Sequence, residues 1–231
     1  MKRLAVVPAR GGSKRIPDKN VRPFCGRPMI SYTLEAARES GLFDAIHVST
    51  ESDSVTAAAT ALGFPPEFPR PAALSDDTTP LMPVLRFVLE EYGRRGRGFD
   101  EVALLYACAP LVEAGDLRAA AAMAERVGGD KVVIGVAKFA VPVEWAYTRQ
   151  DDGQLVPASP GTFQVRSQDL RPAYHDVGAF AFLPAARIVT DAPHDERDFY
   201  GYVLPRYKAV DIDDDEDWLL AEFLYRGRGA H

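Results

Sequence analysis

The sequence is poor in cysteine, in positive charge and in long apolar runs. Its 231 residues include only two cysteines, Cys25 and Cys108, too few for a disulfide framework or a four-thiolate zinc site. The formal net charge of -6 argues against a nucleic-acid partner, since domains that bind nucleic acid are usually basic. No stretch approaches the roughly 20 apolar residues that cross a bilayer, and Pro8 and Arg10 end the first apolar run too early for a signal peptide. We therefore expect a cytoplasmic protein with no membrane partner.

The composition that remains is typical of one large globular domain. Hydrophobic residues make up 47% of the chain and charged residues 26%, which is enough apolar material for a substantial core. A length of 231 residues suits one domain with a modest insertion. We therefore treat residues 1–231 as a single domain.

Short apolar runs alternate with helical spacings along the chain. Buried strands are predicted at residues 4–7, 45–49, 102–106, 131–136, 179–183 and 207–212. Helices are predicted to begin near residues 31, 53 and 81, and to cover residues 116–127 and 214–225. This alternation implies parallel pairing through right-handed crossovers, hence a three-layer α/β/α sandwich with a mostly parallel, Rossmann-like sheet.

Residues 139–175 break the alternation and are predicted to form a small inserted segment. Apolar side chains occupy alternating positions there: Phe139, Val141, Val143, Trp145 and Tyr147. One interpretation of this pattern is a hairpin packed on its own domain; a second, taken up below, is a contact with another subunit.

A basic, glycine-containing loop follows the first predicted strand. Four cations lie within ten residues of this otherwise acidic chain: Arg10, Lys14, Arg15 and Lys19. Gly11 and Gly12 allow the backbone to approach a ligand closely, and backbone N–H groups with fixed cations form an anion cradle. The loop fits neither G-x-x-x-x-G-K-[ST] nor G-x-G-x-x-G. A triphosphate is the anion we expect, and a solvated basic loop is the alternative.

An acidic turn lies near the end of the chain, at residues 211–217. If residues 207–213 are extended, Asp211 and Asp213 point to one face and Ile212 to the other. Two carboxylates at a strand end can hold Mg²⁺, which prefers oxygen ligands and keeps water or phosphate in its other positions. Residues 214–217 would begin the last helix, where acids suit the helix dipole. The alternative, that all these acids cap the helix, leaves Asp211 unexplained.

These motifs follow predicted strands, as does the segment after Leu105. In open parallel sheets the ligand lies beyond the carboxyl ends of the strands. The sequence therefore predicts one site, formed by the basic loop, the segment after Leu105 and the acidic turn.

Several motifs, in order along nearly the whole chain, resemble those of the acylneuraminate cytidylyltransferase family. They are P-A-R-G-G-S-K-R-I-P-D-K-N at 8–20, V-S-T-E at 48–51, R-P at 70–71, L-S-D-D-T at 74–78 and D-I-D at 211–213. The resemblance implies a nucleotidyltransferase that transfers CMP from CTP to a nine-carbon acidic sugar and releases pyrophosphate. It also implies Mg²⁺ bound by Asp211 and Asp213, and a homodimer formed through the insertion.

The resemblance assigns roles to individual residues of the nucleotide site. Arg10, Lys14 and Lys19 would bind the phosphates and act in catalysis, and Asn20 and Arg70 would hold the cytidine. The whole nucleotide set comprises Pro8, Ala9, Arg10, Gly11, Gly12, Ser13, Lys14, Lys19, Asn20, Arg70, Asp77, Thr78 and Thr79. No residue stands out as a general base.

Two stretches bear on the acceptor sugar, Y-A-C-A-P at 106–110 and Y-H-D-V-G at 174–178. Both are similar to the pseudaminic acid branch of the family, which has Y-A-T-A-P and Y-H-D-A-G. The predicted sugar contacts are Tyr106, Arg171, Tyr174, His175 and Asp176. Alternatively, Tyr106 belongs to the core and His175 and Asp176 form a structural pair. Cys108 is interpreted as a small buried residue rather than a nucleophile.

Three other interpretations stay open at this point. The same reaction could use legionaminic, N-acetylneuraminic or keto-deoxyoctonic acid as acceptor. The chain could also be a non-catalytic nucleotide-binding relative, although such a protein would have little need for both the basic loop and the Asp211–Asp213 pair.

Overall fold

The first apolar run of the chain forms a central strand buried on both faces. In the computed structural model, which describes residues 1–13, 15–76, 78–190 and 196–228, this strand is β1 (Arg3–Pro8). Its side chains alternate, with Ala5 and Val7 in one core cluster and Leu4 and Val6 in a second. All four are fully buried, which explains why the run is continuously apolar.

The other regular elements follow in chain order. The remaining strands are β2 (Pro23–Phe24), β3 (Arg27–Pro28), β4 (Ala45–Ser49), β5 (Glu101–Leu105), β6 (Val132–Lys138), β7 (Tyr147–Arg149), β8 (Leu155–Pro157), β9 (Tyr174–Pro184) and β10 (Phe199–Val203). The helices are α1 (Ile30–Ser40), α2 (Asp53–Ala61), α3 (Leu81–Arg94), α4 (Ala114–Val127), α5 (Ala185–Thr190) and α6 (Asp215–Gly227). No helix in the described ranges has both the length and the apolar character to cross a membrane.

Within the described residues the main sheet has six strands in the order β10-β6-β9-β5-β1-β4. β1 pairs in parallel with β4 and β5, and β10 pairs in parallel with β6. β9 lies between β5 and β6 and is antiparallel to both. Helices α1, α2 and α4 pack on one face and α3 and α5 on the other. The predicted three-layer, mostly parallel α/β/α sandwich is confirmed.

The predicted strand at 207–212 is wrong. Arg206–Lys208 form a single 3₁₀ turn, and the following residues up to 213 have no regular secondary structure. The physical reason is that Ile212 packs with Ile16 and Trp218 in a cluster outside the main sheet, while the place beside β6 is taken by β10. β10 itself was not predicted from the sequence.

The insertion was predicted at 139–175; in the structure the chain between β6 and β9 covers residues 139–173, because β9 begins at Tyr174. It contains a two-stranded antiparallel hairpin of β7 and β8. Every residue of these two strands is exposed. The hairpin is therefore not packed on its own domain through these strands, contrary to one of the two interpretations of this segment.

A third apolar cluster attaches the last helix to the basic loop. It joins Ile16 and Phe24 with Ile212 and Trp218. The rings of Phe24 and Trp218 meet edge to face with centroids 5.6 Å apart, and the guanidinium of Arg22 lies 4.5 Å from the Trp218 ring centroid. The basic loop and the acidic turn consequently share one small core.

Candidate active site

A cavity of about 520 Å³ opens at the carboxyl edge of the parallel strands. Its walls come from the loop after β1, the segment 70–84, the residues after β5, and the acidic turn. The predicted site residues that line it are Pro8, Arg10, Ser13, Lys19, Asn20, Arg70, Thr79, Tyr106, Asp211 and Asp213. The structure thus brings the basic loop and the acidic pair together, as predicted, although the acidic turn does not follow a strand.

Four of the other predicted nucleotide residues, all described by the structure, are not part of the cavity lining. Ala9, Gly11, Gly12 and Thr78 lie in the same two segments without lining the cavity. Lys14 and Asp77 lie outside the described residues, so their predicted roles rest on the sequence alone.

Gly11 is required by a close approach of the backbone to the start of α2. A Cβ atom at this position would stand 3.0 Å from both Cβ and Oγ of Ser52. The N–H of Gly11 donates to Oε1 of Glu51 at 2.9 Å. This N–H group, part of the expected anion cradle, is therefore already bonded to a carboxylate. Gly12 is not required in the same way, because a Cβ there would meet no atom within 4 Å.

Arg70 is fixed against the end of β4. Its Nε donates to Oγ of Ser49 at 3.1 Å, and its Nη2 donates to the Ser49 carbonyl oxygen. The residue is 6% exposed, and this burial lowers the pKa of its guanidinium, although an arginine stays charged in any protein. A buried, oriented cation thus forms part of the cavity wall.

The acidic turn presents its carboxylates as predicted, although it is not a strand. Asp211 and Asp213 line the cavity, and Ile212 between them is fully buried. Oδ1 of Asp213 lies 2.8 Å from Nη2 of Arg15 and 3.9 Å from Nζ of Lys19. Burial, followed by the charge of Asp213, raises the pKa of Asp211. Two carboxylates that repel each other in this way favour a cation nearby.

The remaining acids of the turn have the structural role predicted for them. Asp214 is the N-cap of α6, and its side chain accepts from the N–H groups of Glu216 and Asp217. The Asp217 carboxylate accepts in return from the N–H groups of Asp213 and Asp214, at 2.9 and 3.1 Å. The N–H groups at the start of α6 therefore have hydrogen-bond partners that do not include the side chains of Asp211 and Asp213.

The donor set suits a hard divalent cation bound by few protein ligands. Asp211 and Asp213 offer oxygen ligands from one short segment, and Asp213 faces the cations of the basic loop. Among the described residues no group of three or more His, Cys, Asp or Glu side chains could hold a metal ion. The two aspartates therefore fit Mg²⁺, which usually takes one or two carboxylates with water and substrate phosphate oxygens.

Tyr106 and Asp176, two of the predicted sugar contacts, lie beside the acidic pair. Burial raises the pKa of Tyr106, and the charges of Asp176 and Asp211 raise it further. Oδ1 of Asp176 accepts from the N–H of Gly178 at 2.9 Å, where the backbone adopts a φ of 58° near a register shift between β6 and β9. This irregularity brings β9 next to Asp211, because a Cβ at Gly178 would stand 3.4 Å from Asp211 Oδ2.

Of the five predicted sugar contacts only Tyr106 lines the cavity; Asp176 is not part of the lining, and neither are the other three. Arg171 lines a separate groove of about 280 Å³ together with Lys138, and Tyr174 pairs across the sheet with Lys138. Nδ1 of His175 lies 3.0 Å from the backbone oxygen of Asp176, so the two side chains do not pair with each other through this contact. The ring of His175 packs 4.8 Å from that of Phe139.

Three residues of the cavity wall make contacts that were not predicted from the sequence. Arg15 pairs with Asp213, Cys108 bonds to Asn20, and Asp76 binds two threonines. Oδ1 of Asp76 accepts four hydrogen bonds, from the backbone N–H and the side-chain hydroxyl of both Thr78 and Thr79. These bonds hold the pKa of Asp76 at about 2. An aspartate two residues before a threonine pair is a known turn pattern, so this signal was available.

Comparison with known proteins agrees with this fold and assigns the family. The family model described as "Cytidylyltransferase" matches residues 4–147, which is more than half of the chain. The chain belongs to the cytidylyltransferase family.

Two relatives match over nearly their full length. The chain is 34% identical over 230 residues to a pseudaminic acid cytidylyltransferase of Campylobacter jejuni, covering 98% of this chain and 97% of the relative. It is 30% identical over 231 residues to a CMP-N,N'-diacetyllegionaminic acid synthase of Legionella pneumophila, covering 97% and 96%. A solved structure of CMP:2-keto-3-deoxy-manno-octonic acid synthetase complexed with CTP superposes with a TM-score of 0.71 at 16% identity, covering 99% of this chain and 100% of that one; it supports the fold.

Proposed function

We propose that this cytidylyltransferase transfers CMP from CTP to the anomeric hydroxyl of pseudaminic acid, a nine-carbon 2-keto sugar acid, and releases pyrophosphate. The observation that carries the proposal is the cavity in which the basic loop faces Asp211 and Asp213. The similarity to the Campylobacter jejuni enzyme over almost the whole chain supports the choice of sugar.

Different residues of the cavity would bind the triphosphate and the cytidine. Arg10 and Lys19, with Lys14 as the third predicted cation, neutralise the triphosphate, and Asn20 and Arg70 hold the cytidine. The sugar oxygen attacks the α-phosphorus as the bond to pyrophosphate breaks. Positioning and charge neutralisation supply most of the rate in such a transfer, because the protein forms no covalent bond to either substrate.

Asp211 and Asp213 are the residues that would hold Mg²⁺. The ion, when bound, supplies charge neutralisation at the phosphates and polarises the reacting phosphorus. Asp213 also pairs with Arg15, so a bound metal ion and this ion pair would share one carboxylate.

The acceptor would bind next to Tyr106 and Asp176, both of which lie near Asp211. The resemblance of the L. pneumophila synthase supports a second candidate, in which legionaminic acid is the acceptor. Arg171, Tyr174 and His175 lie in or near the groove beside the insertion, where they would contact a sugar only if it extended beyond the cavity.

We also propose that the protein is a cytoplasmic homodimer joined through the insertion. Exposed apolar side chains on this segment support the second part: Val141, Val143, Tyr147, Leu155, Val156 and Phe163. Surfaces of this kind commonly mark protein contacts.

The function is tested by measuring pyrophosphate release from CTP and Mg²⁺ with a panel of acceptors: pseudaminic, legionaminic, N-acetylneuraminic and keto-deoxyoctonic acids. We expect the highest kcat/KM with pseudaminic acid. A clear preference for another sugar would change the proposed acceptor but not the proposed reaction. Tight CTP binding with no release for any acceptor would instead favour a non-catalytic relative.

The same assay tests the metal ligands with a matched control. Asp211→Asn and Asp213→Asn should each lower Mg²⁺-dependent turnover at least about 100-fold, as removal of a group that stabilises transition-state charge commonly does, and weaken Mn²⁺ binding measured by paramagnetic relaxation. Asp215→Asn removes a neighbouring charge that pairs with Arg22 outside the cavity, and should change neither quantity. Normal turnover by the first two variants would overturn the assignment.

A further inference from the structure

The side-chain amide of Asn20 is held at both of its ends. Its Nδ2 donates to the backbone oxygen of Arg10 at 2.8 Å, and its Oδ1 accepts from Sγ of Cys108 at 3.3 Å. All three residues line the cavity. The pair of bonds ties the loop after β1 to the segment after β5.

The chemistry of the partners determines which way the amide points. The Arg10 carbonyl can only accept a hydrogen bond, so the amide nitrogen must face it, and the amide oxygen is left facing the sulfur. The sulfur must then donate, which requires a protonated thiol. Burial raises the pKa of Cys108 to about 12, so the thiol keeps its hydrogen at any pH at which the protein would work.

This arrangement leaves specific groups of Asn20 for a ligand. An amide has two N–H donors and two lone pairs on its oxygen, and the bonds to Arg10 and Cys108 use one of each. We propose that Cys108 is a positioning residue, whose S–H group holds the Asn20 amide in the orientation that binds the nucleotide. This inference rests on the proposed binding of CTP and adds that the site requires a hydrogen-bond donor at position 108, not merely a small side chain.

Two other roles for Cys108 predict different behaviour. A nucleophile would need the thiolate, which the raised pKa disfavours. A residue that only fills space would be replaced equally well by any side chain of similar volume. The distinction between donor and filler is therefore the one to test.

Threonine and valine provide a matched pair for this test, because they are nearly equal in shape and only threonine has a donor. We expect Cys108→Thr to bind CTP within about two-fold of the wild type, measured by calorimetry in the presence of Mg²⁺. Cys108→Val should weaken CTP binding about five-fold or more, the size of one lost hydrogen bond. In the Asn20→Ala background the two substitutions should have equal effects, because the thiol then has no amide to hold.

Equal CTP affinities of the Thr and Val variants in the otherwise wild-type protein would overturn the proposal, as would a difference that persists in the Asn20→Ala background. If Cys108→Val does not fold by thermal denaturation, Cys108→Ser and Cys108→Ala give the same comparison at smaller volume. Failure of the wild-type protein to bind CTP would contradict the proposed function itself, and this outcome is separate from either result above.

Discussion

His47 is a buried titratable residue without a hydrogen-bond partner. It is 1% exposed, neither ring nitrogen has a hydrogen-bond partner, and its ring stacks on Phe68 with centroids 4.2 Å apart. Burial lowers the pKa of His47 from 6.5 to about 4. The folded protein thus keeps this imidazole neutral at pH values where the unfolded chain takes up a proton.

We predict that His47 makes the protein less stable as the pH falls. Because the unfolded state binds the proton first, stability from this residue is complete above pH 6.5 and is lost progressively down to pH 4. Between pH 7 and pH 5 the loss should be about 2 kcal/mol. Urea unfolding at both pH values, compared with His47→Phe, measures it. If the two proteins lost the same free energy over this interval, the prediction would fail.

At the scale of single residues, the sequence predicts the place in the site of side chains whose type is unusual at their position. Arg10 and Asp211 are of this kind, since a cation after the first strand and an acid outside a helix cap both need an explanation. Cys108 is not, because its role lies in a hydrogen bond to a residue distant in sequence. The bond from Cys108 reaches Asn20, 88 residues away in sequence, and no local pattern reports such a contact.

At the scale of elements, α6 stabilises both halves of the site. Trp218 is 5% exposed and packs with Ile16, from the basic loop, and Ile212, from the acidic turn. Residues adjacent to these two isoleucines, Arg15 and Asp213, form the ion pair across the cavity. Loosening this helix should therefore affect stability and ligand binding together.

We predict that Trp218→Ala lowers the free energy of unfolding by about 3 to 5 kcal/mol, the usual cost of truncating a buried tryptophan, and weakens CTP binding as well. Leu219→Ala changes the next residue of the same helix, which is 52% exposed, and should alter stability by less than about 0.5 kcal/mol. Urea denaturation and calorimetry measure both effects. Unchanged CTP affinity in a destabilised Trp218→Ala protein would show that the cluster does not couple the two loops.

The error at 207–212 shows what element-level patterns leave out. Val210 and Ile212 alternate with Ala209 and Asp211, which suits a half-buried strand, yet a strand also needs a neighbour. The place beside β6 is taken by β10, which is hard to recognise in the sequence because its residues are mostly exposed and Gly201 lies at its centre. Gly201 is there because a Cβ would lie 2.7 Å from Cγ2 of Val136, a contact between strands that becomes visible only in the fold.

At the scale of the whole molecule, the sheet order could not be read from the sequence, although the class could. Alternating strands and helices predicted a mostly parallel sheet, and five of the six described main-sheet strands run in parallel. The antiparallel direction of β9 follows from the insertion, which carries the chain away from the end of β6 and returns it at the same edge.

We predict that the exposed apolar surface of the insertion forms the contact between two subunits. Sedimentation equilibrium should find a dimer of the wild-type protein at micromolar concentration. Leu155→Asp and Phe163→Asp, at residues 55% and 67% exposed, should shift it to monomers, because a buried unpaired charge is costly in such a contact. Leu219→Asp places the same charge on α6 and should leave the dimer intact. A monomeric wild-type protein would contradict the prediction.

The register between β6 and β9 has a consequence for how this architecture can vary. Lys138, the last residue of β6, is paired with Tyr174, the first residue of β9, so the chain leaves the sheet and rejoins it at the same residue pair of two neighbouring strands. The entropy of closing a loop grows slowly with its length, by about 0.6 kcal/mol for each doubling. Residues 139–173 can therefore be lengthened, shortened or exchanged at little cost to the sheet, and the nucleotide half of the cavity need not change when they do. The six-stranded sheet and the insertion can therefore change independently of each other.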